Sequence, residues 1–277
     1  MKKLLALLLT GCMMAATLVG CGAKEEANPA TDVAVEETAE AASDLAYVKE
    51  KGVLVVGITD FAPMDYKDEA GEWIGFDADM AKGFAQKLGV EVEFVEIDWD
   101  NKILELDGKT VDCIWNGMTL TDEVKAAMDC SNAYCNNAQV VIVPAEKAAD
   151  YQTVESLEGL AFAVEAGSAG EAEVTALGLD CTPVKAQSDA LMEVAAGTSD
   201  AAVIDSLMAA AMVGEGTGYA DLTYTVGLNS EEYGVGFRKG SDLVAELNAY
   251  FLEAYAAGTM QECADTYGVA AALVEQK

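Results

Sequence analysis

The sequence predicts an α/β protein of two lobes, and three observations carry that reading. Short β-branched apolar runs alternate with segments of helical period from about residue 53 onward,. The alternation restarts after Pro144. The stretch 45–277 has the length of one large domain or two modest lobes,.

Each element has its own signal. The run Val-Leu-Val-Val-Gly-Ile at 53–58 reads as a buried strand,. Over 77–88, Met80, Phe84 and Leu88 fall on one helical face, and Gly89 is a stop,. A strand at 90–97, a short helix at 99–106 and a strand at 111–116 follow. Thr121 opens a helix with Asp122 and Glu123 in its first turn,. An apolar strand at 139–143 is closed by Pro144. In the second half, strands at 160–165, 181–184 and 201–205 alternate with helices at 168–177, 188–196 and 206–213. Strand-like runs at 222–226 and 234–238 precede closing helices at 241–255 and 260–267. Such alternation implies mostly parallel sheets. It does not say which lobe receives the closing helices.

The N-terminus is of another kind. Met1-Lys2-Lys3, an apolar run from Leu4 to Leu9 and the ending Leu18-Val19-Gly20-Cys21 describe an export signal over 1–20,. The run is too short for a spanning helix. Leu-Val-Gly-Cys also has the form of a lipobox, in which Cys21 is acylated and becomes the new N-terminus; the alternative is an ordinary signal with an incidental Cys. Residues 21–44 are acidic and rich in Ala, Glu and Thr, without an aromatic residue, and read as a disordered tether,. The expected product is extracytoplasmic, held to the outer face of the cytoplasmic membrane by a palmitate-type anchor.

Composition excludes several functions. Against 48 acidic residues stand 16 basic ones, a net charge of −32, which repels nucleic acid,. The chain has no His, so His acid–base chemistry and His metal ligation are excluded,. Arg238 is the one Arg, so an anion site elsewhere must use Lys, hydroxyls or backbone N–H groups. Cys113, Cys130, Cys135, Cys181 and Cys263 show no C-x-x-C spacing and are odd in number,. Mostly free, buried thiols are expected, with a Cys130–Cys135 bridge as the alternative. No metal or cofactor is implied.

Val53 to Pro63, with its Val-Gly-Ile-Thr-Asp-Phe-Ala-Pro ending, resembles the opening strand and loop of polar amino acid solute-binding proteins of ABC transporters. Gly75-Phe76-Asp77-Ala78-Asp79-Met80 is similar to their G-F-D-x-D-L helix start, and Gly117-Met118-Thr119-Leu120-Thr121 to their G-M-T-x-T signature. Trp99-Asp100, Gly108-Lys109 and Asp112 keep the usual order. So do Gly167-Ser168, the strand 201–205 ending in Asp205, and the return strand from Tyr233 to Lys239. The resemblance implies a periplasmic-binding-protein-like fold, with two α/β lobes joined by two crossover strands around a ligand cleft. It assigns 45–138 and 230–277 to the first lobe and 139–229 to the second. It further implies a monomeric, non-enzymatic receptor that captures an amino acid or related amine by lobe closure and delivers it to an ABC permease. A dehydratase on the same fold and a ligand-sensing module are the alternatives.

Asp205 ends a buried strand and is the candidate acceptor for a ligand ammonium, with an N-cap as its competing role. The loop Asn116-Gly117-Met118-Thr119, together with Thr121, Gly167 and Ser168, is expected to offer hydroxyl and backbone donors to a carboxylate, or else plain helix caps. Phe61 and Trp99 are candidate walls. Trp115 is expected in the core or the cleft floor. One position departs from the family: relatives carry a carboxylate-clamping Arg three residues after the second Thr of the signature, and here it is Val124. Lys125 is adjacent, but one helical step turns it about 100° away. Arg238 is expected to be structural. Glu165, near the Gly167-Ser168 loop, either faces the cleft beside Asp205, favouring a cationic ligand, or points to solvent.

Overall fold

The computed structural model describes residues 43–277; the expected export segment, the expected acylation site Cys21 and the expected tether up to residue 42 lie outside the described residues. The fold starts earlier than expected. Ser43 caps helix α1 (Asp44–Lys51), its hydroxyl oxygen accepting from the Ala46 N–H at 2.9 Å,. Asp44 is buried and pairs with Arg238 at 3.0 Å. Residues 43 and 44, expected in the tether, therefore belong to the fold. The partner that recruits them lies 194 residues away, beyond the reach of any local pattern.

From α1 the chain runs through β1 (Val53–Ile58), a small hairpin of β2 (Tyr66–Lys67) and β3 (Trp73–Ile74), and helix α2 (Phe76–Leu88). Next come β4 (Glu91–Glu96), a tight 3-10 turn at Trp99–Asn101, α3 (Lys102–Asp107) and β5 (Cys113–Thr119). Helix α4 (Asp122–Ala127), β6 (Asp129–Cys130) and β7 (Cys135–Asn137) complete this passage. The second passage holds β8 (Gln139–Pro144), β9 (Phe162–Glu165), α5 (Ala169–Ala176), β10 (Cys181–Val184), α6 (Gln187–Ala196), β11 (Ala201–Asp205), α7 (Ser206–Met212) and β12 (Leu222–Gly227). The chain then returns through β13 (Glu231–Phe237) to α8 (Leu243–Ala257) and α9 (Thr259–Tyr267).

Two sheets result. The first has the order β4-β1-β5-β13-β6, with β7 also paired to β13; the second has the order β10-β9-β11-β8-β12. The chain passes from the first to the second between Asn137 and Gln139, and back between Gly227 and Glu231. The expectation of mostly parallel sheets needs correction. In each sheet three strands run parallel, and the strand that connects to the other sheet, β13 or β8, runs antiparallel to them. A continuous apolar run says that a strand is buried on both faces, not which way it runs.

The period of two is visible in the core. Val140 and Ile142 of β8, with Ala202 and Ile204 of β11, face one apolar cluster; Val141, Val143, Ala201 and Val203 face another,. Both faces are covered by helices, so these strands carry no polar alternation. The closing helices pack on α2: the Tyr267 hydroxyl donates to Asp79 at 2.6 Å, and Lys87 pairs with Glu253 at 2.6 Å. They lie with the first sheet. Among the described residues all five cysteines are free, so the Cys130–Cys135 bridge is not formed. Trp115 is a core residue, packed edge-on against Phe251.

Candidate ligand cleft

In open α/β sheets ligands gather beyond the carboxyl ends of the strands. Here β5 ends at Thr119 from one side, and β9 and β11 end at Glu165 and Asp205 from the other. A cleft of about 680 Å³ lies between them. Phe61, Trp99, Asn116, Gly117, Met118, Thr119, Val124, Glu165, Gly167, Ser168 and Asp205 all line it.

Residues from the two sides meet across this cleft. The Lys102 ammonium, on the first side, donates to the Gly167 carbonyl on the second at 2.8 Å. At the rim Lys185 approaches Glu96 at 3.4 Å. Gly167 has φ +70°, and a Cβ there would stand 2.7 Å from the Asp100 Cα. Only a glycine permits both that backbone turn and that approach.

Asp205 is 4 % exposed. It accepts hydrogen bonds from the Tyr233 hydroxyl at 2.7 Å, from Gln139 Nε2 at 3.1 Å, and from the side-chain amides of Asn137 and Gln187. Its side chain does not cap α7, which removes the competing role. Burial pushes its carboxyl up to about 7, and the nearby Glu231 charge adds to the rise while the donors oppose it,. Glu165 is also buried rather than turned to solvent, and its Oε1 has no hydrogen-bond partner among the described residues. Burial first, then the Asp205 charge, raises it to about 8.

The expected donors are largely engaged elsewhere. The Thr119 hydroxyl donates to Glu231 at 2.8 Å. Thr121 caps α4 and Ser168 caps α5, accepting from the Val124 and Glu171 N–H groups. The Gly167 N–H donates to Glu171 Oε2 at 2.7 Å, so a side chain already occupies that anion position. Asn116 spends its amide on Thr59 and Asp65, which ties the β1 loop to the floor. The Gly117 N–H is held by the buried Asp77 at 2.6 Å.

Val124 is buried in the same apolar cluster as Trp99 and Met118. Lys125 is exposed and lies outside this cleft, so it does not replace the missing arginine. Arg238 is structural: beyond Asp44, it donates to the carbonyls of Val111 at 2.8 Å and Leu106 at 3.2 Å.

Sequence reasoning missed Lys102 and Gln187. Gln187 opens α6 and both donates to the Asp205 carboxylate and accepts its N–H at 2.8 Å, a pairing that no spacing reveals. Lys102 follows the Trp99-Asp100 motif by a few residues, and that proximity was the available signal.

The chain is 27% identical over 224 residues to the L-cystine-binding protein TcyJ of Escherichia coli (strain K12), covering 79% of this chain and 84% of that one. It is 29% identical over 257 residues to the arginine-binding extracellular protein ArtP of Bacillus subtilis (strain 168), covering 90% and 91%. Among solved structures, a mutant of ArgBP from T. maritima superposes with a TM-score of 0.77 at 34% identity, over 81% of this chain and 99% of that one. Residues 54–270 match one family along their length, and with the two-sheet fold and its cleft they place the chain among the bacterial extracellular solute-binding proteins, family 3.

Proposed function

We propose that this protein captures an amino acid or a related amine-bearing solute by closing its two lobes, and hands it to an ABC permease. The observation that carries this reading is Asp205. A buried carboxylate ends a strand at the cleft, held by four side-chain donors. Such a group is oriented for a charge-assisted bond to an ammonium. Relatives named for cystine and arginine binding support the solute class.

The reading extends to the rest of the chain. Residues 1–20 direct export, Cys21 carries the lipid and the following residues form the tether. The receptor works as a monomer without a cofactor, and binds and releases its ligand without transforming it. Cys21→Ser should shift the protein from the membrane fraction to the medium; retention at the membrane would refute the anchor.

A thermal-shift screen of the purified protein against amino acids, polyamines and small cationic metabolites tests the core of the proposal. Ligand binding to the native state raises the melting temperature by mass action. A shift with one class that disappears in Asp205→Ala supports the assignment. No shift with any amine or amino acid refutes it.

A further inference from the structure

We infer that Lys102 is the ligand-carboxylate-binding residue of the cleft, and that the ligand is an amino acid with a free α-carboxylate rather than a carboxylate-free amine. The inference rests on the receptor reading above and deepens it.

Lys102 is the one cation among the described residues that line the cleft, facing six carboxyl groups there. It is 8 % exposed. Its ammonium donates to the Trp99 carbonyl at 3.2 Å and the Gly167 carbonyl at 2.8 Å, and stands 5.0 Å from the centre of the Trp99 ring. These contacts fix a side chain that otherwise carries considerable rotamer entropy. An ammonium has three donors, and two are accounted for by these carbonyls.

Elimination points the same way. At the position of the family's arginine, Val124 is sunk in an apolar cluster. The Thr119 hydroxyl already donates its hydrogen bond to Glu231, and Glu171 accepts the Gly167 N–H. A carboxylate entering this cleft meets Asp100, Glu171, Asp122 and Glu123, and would be repelled without a local cation,. Lys102 supplies one on the first lobe, while Asp205 on the second receives the ammonium. A zwitterion satisfies both; a polyamine leaves Lys102 facing like charge. Burial lowers the Lys102 pKa, and the surrounding carboxylates, Glu165 foremost, oppose the fall,.

The test compares each of L-arginine, L-histidine, L-glutamine and L-cystine with its α-carboxamide, by calorimetry on the purified protein. Below about pH 7, under the α-amino pKa of about 8, the amide keeps the ammonium and the side chain and removes only the anion. The parent should bind an acid at least about tenfold more tightly than its amide, the difference expected for losing a charge-assisted bond. Lys102→Met should weaken the acid by about the same factor, leave the amide unchanged, and be rescued in part by Lys102→Arg. Equal binding of acid and amide by the parent overturns the inference even if Lys102→Met fails to fold. Equal losses for acid and amide in Lys102→Met also overturn it, because they mean that the lysine only braces the lobes through Gly167. If the parent binds no acid and no amide, the receptor reading itself has failed. If Asp205→Ala still binds while Lys102→Met discriminates, only the ammonium assignment has failed.

Discussion

The Tyr233 hydroxyl on β13 donates to Asp205 at the end of β11 at 2.7 Å, a bond that joins the two sheets at the floor of the cleft. Tyr233 is itself fully buried and stands edge-on to Phe61 at 6.4 Å. One phenol thus orients both the carboxylate and an aromatic wall. Tyr233→Phe keeps the ring and removes the donor. A hydrogen bond to a charged group contributes about 1.5–3 kcal/mol, so ligand affinity should fall by at least about tenfold, measured by calorimetry, with Phe61 still packed.

The pH dependence follows from Asp205. Its carboxyl is raised to about 7 in the unliganded protein, so binding an ammonium there must displace a proton. Affinity should therefore rise as pH climbs from 6 toward 8, by up to about tenfold per unit below that pKa. Asp205→Asn should abolish most of this slope along with most of the affinity. Glu165, raised to about 8, accounts for any residual slope, and Glu165→Gln should remove it. The same shifts govern stability without ligand. Between the ordinary carboxylate range and these raised values the folded chain binds more protons than the unfolded one, so stability falls as pH rises through that window. Urea midpoints at pH 5 and pH 8 measure it.

Gly167→Ala separates closure from folding. The residue's φ of +70° costs an L side chain about 1–2 kcal/mol,. The added Cβ would also stand 2.7 Å from the Asp100 Cα across the cleft. The variant should fold with a modestly lower melting temperature and lose most ligand affinity. Small-angle scattering with saturating ligand should show no compaction.

Arg238→Met tests the assignment of that arginine to the scaffold. It removes the partner of the buried Asp44 and the donor to the carbonyls of Leu106 in α3 and Val111 before β5. Breaking a buried pair by removing one partner costs about 3–5 kcal/mol. Urea denaturation should show that loss, while ligand affinity in the remaining folded protein stays near the parent value.

Legibility differed by element. Strand β1 and the second-half strand β11 lie within the bounds their apolar runs indicate, because a strand with both faces covered has a compositional signature of its own,; β10 keeps its expected bounds as a half-exposed edge strand. Helix α1 was not legible: its residues 44–51 carry a weak apolar pattern, and the helix is held by Ser43 and by contacts to Arg238 and Asp242. The cleft-lining positions were found through motif order, and Val124 through the break in it. Lys102 was passed over because a lysine on a short helix ordinarily reads as a solvated side chain.

The sequence by itself determined the α/β alternation, the restart at Pro144, the absence of histidine chemistry and the departure at residue 124. The first three are properties of composition and local period, which local physics writes into the chain; the departure at 124 shows only against the family signature that the sequence resembles. The tertiary structure alone decided strand direction in the two sheets, the burial of Glu165, the engagement of Thr119 by Glu231 and the entry of Lys102 into the cleft. Each depends on residues brought together from different elements, and the free energy of a charge or a donor is set by what surrounds it after folding. Lys102 and Glu165 are ordinary charged residues in the unfolded chain. Burial and mutual proximity are what distinguish them in the folded cleft.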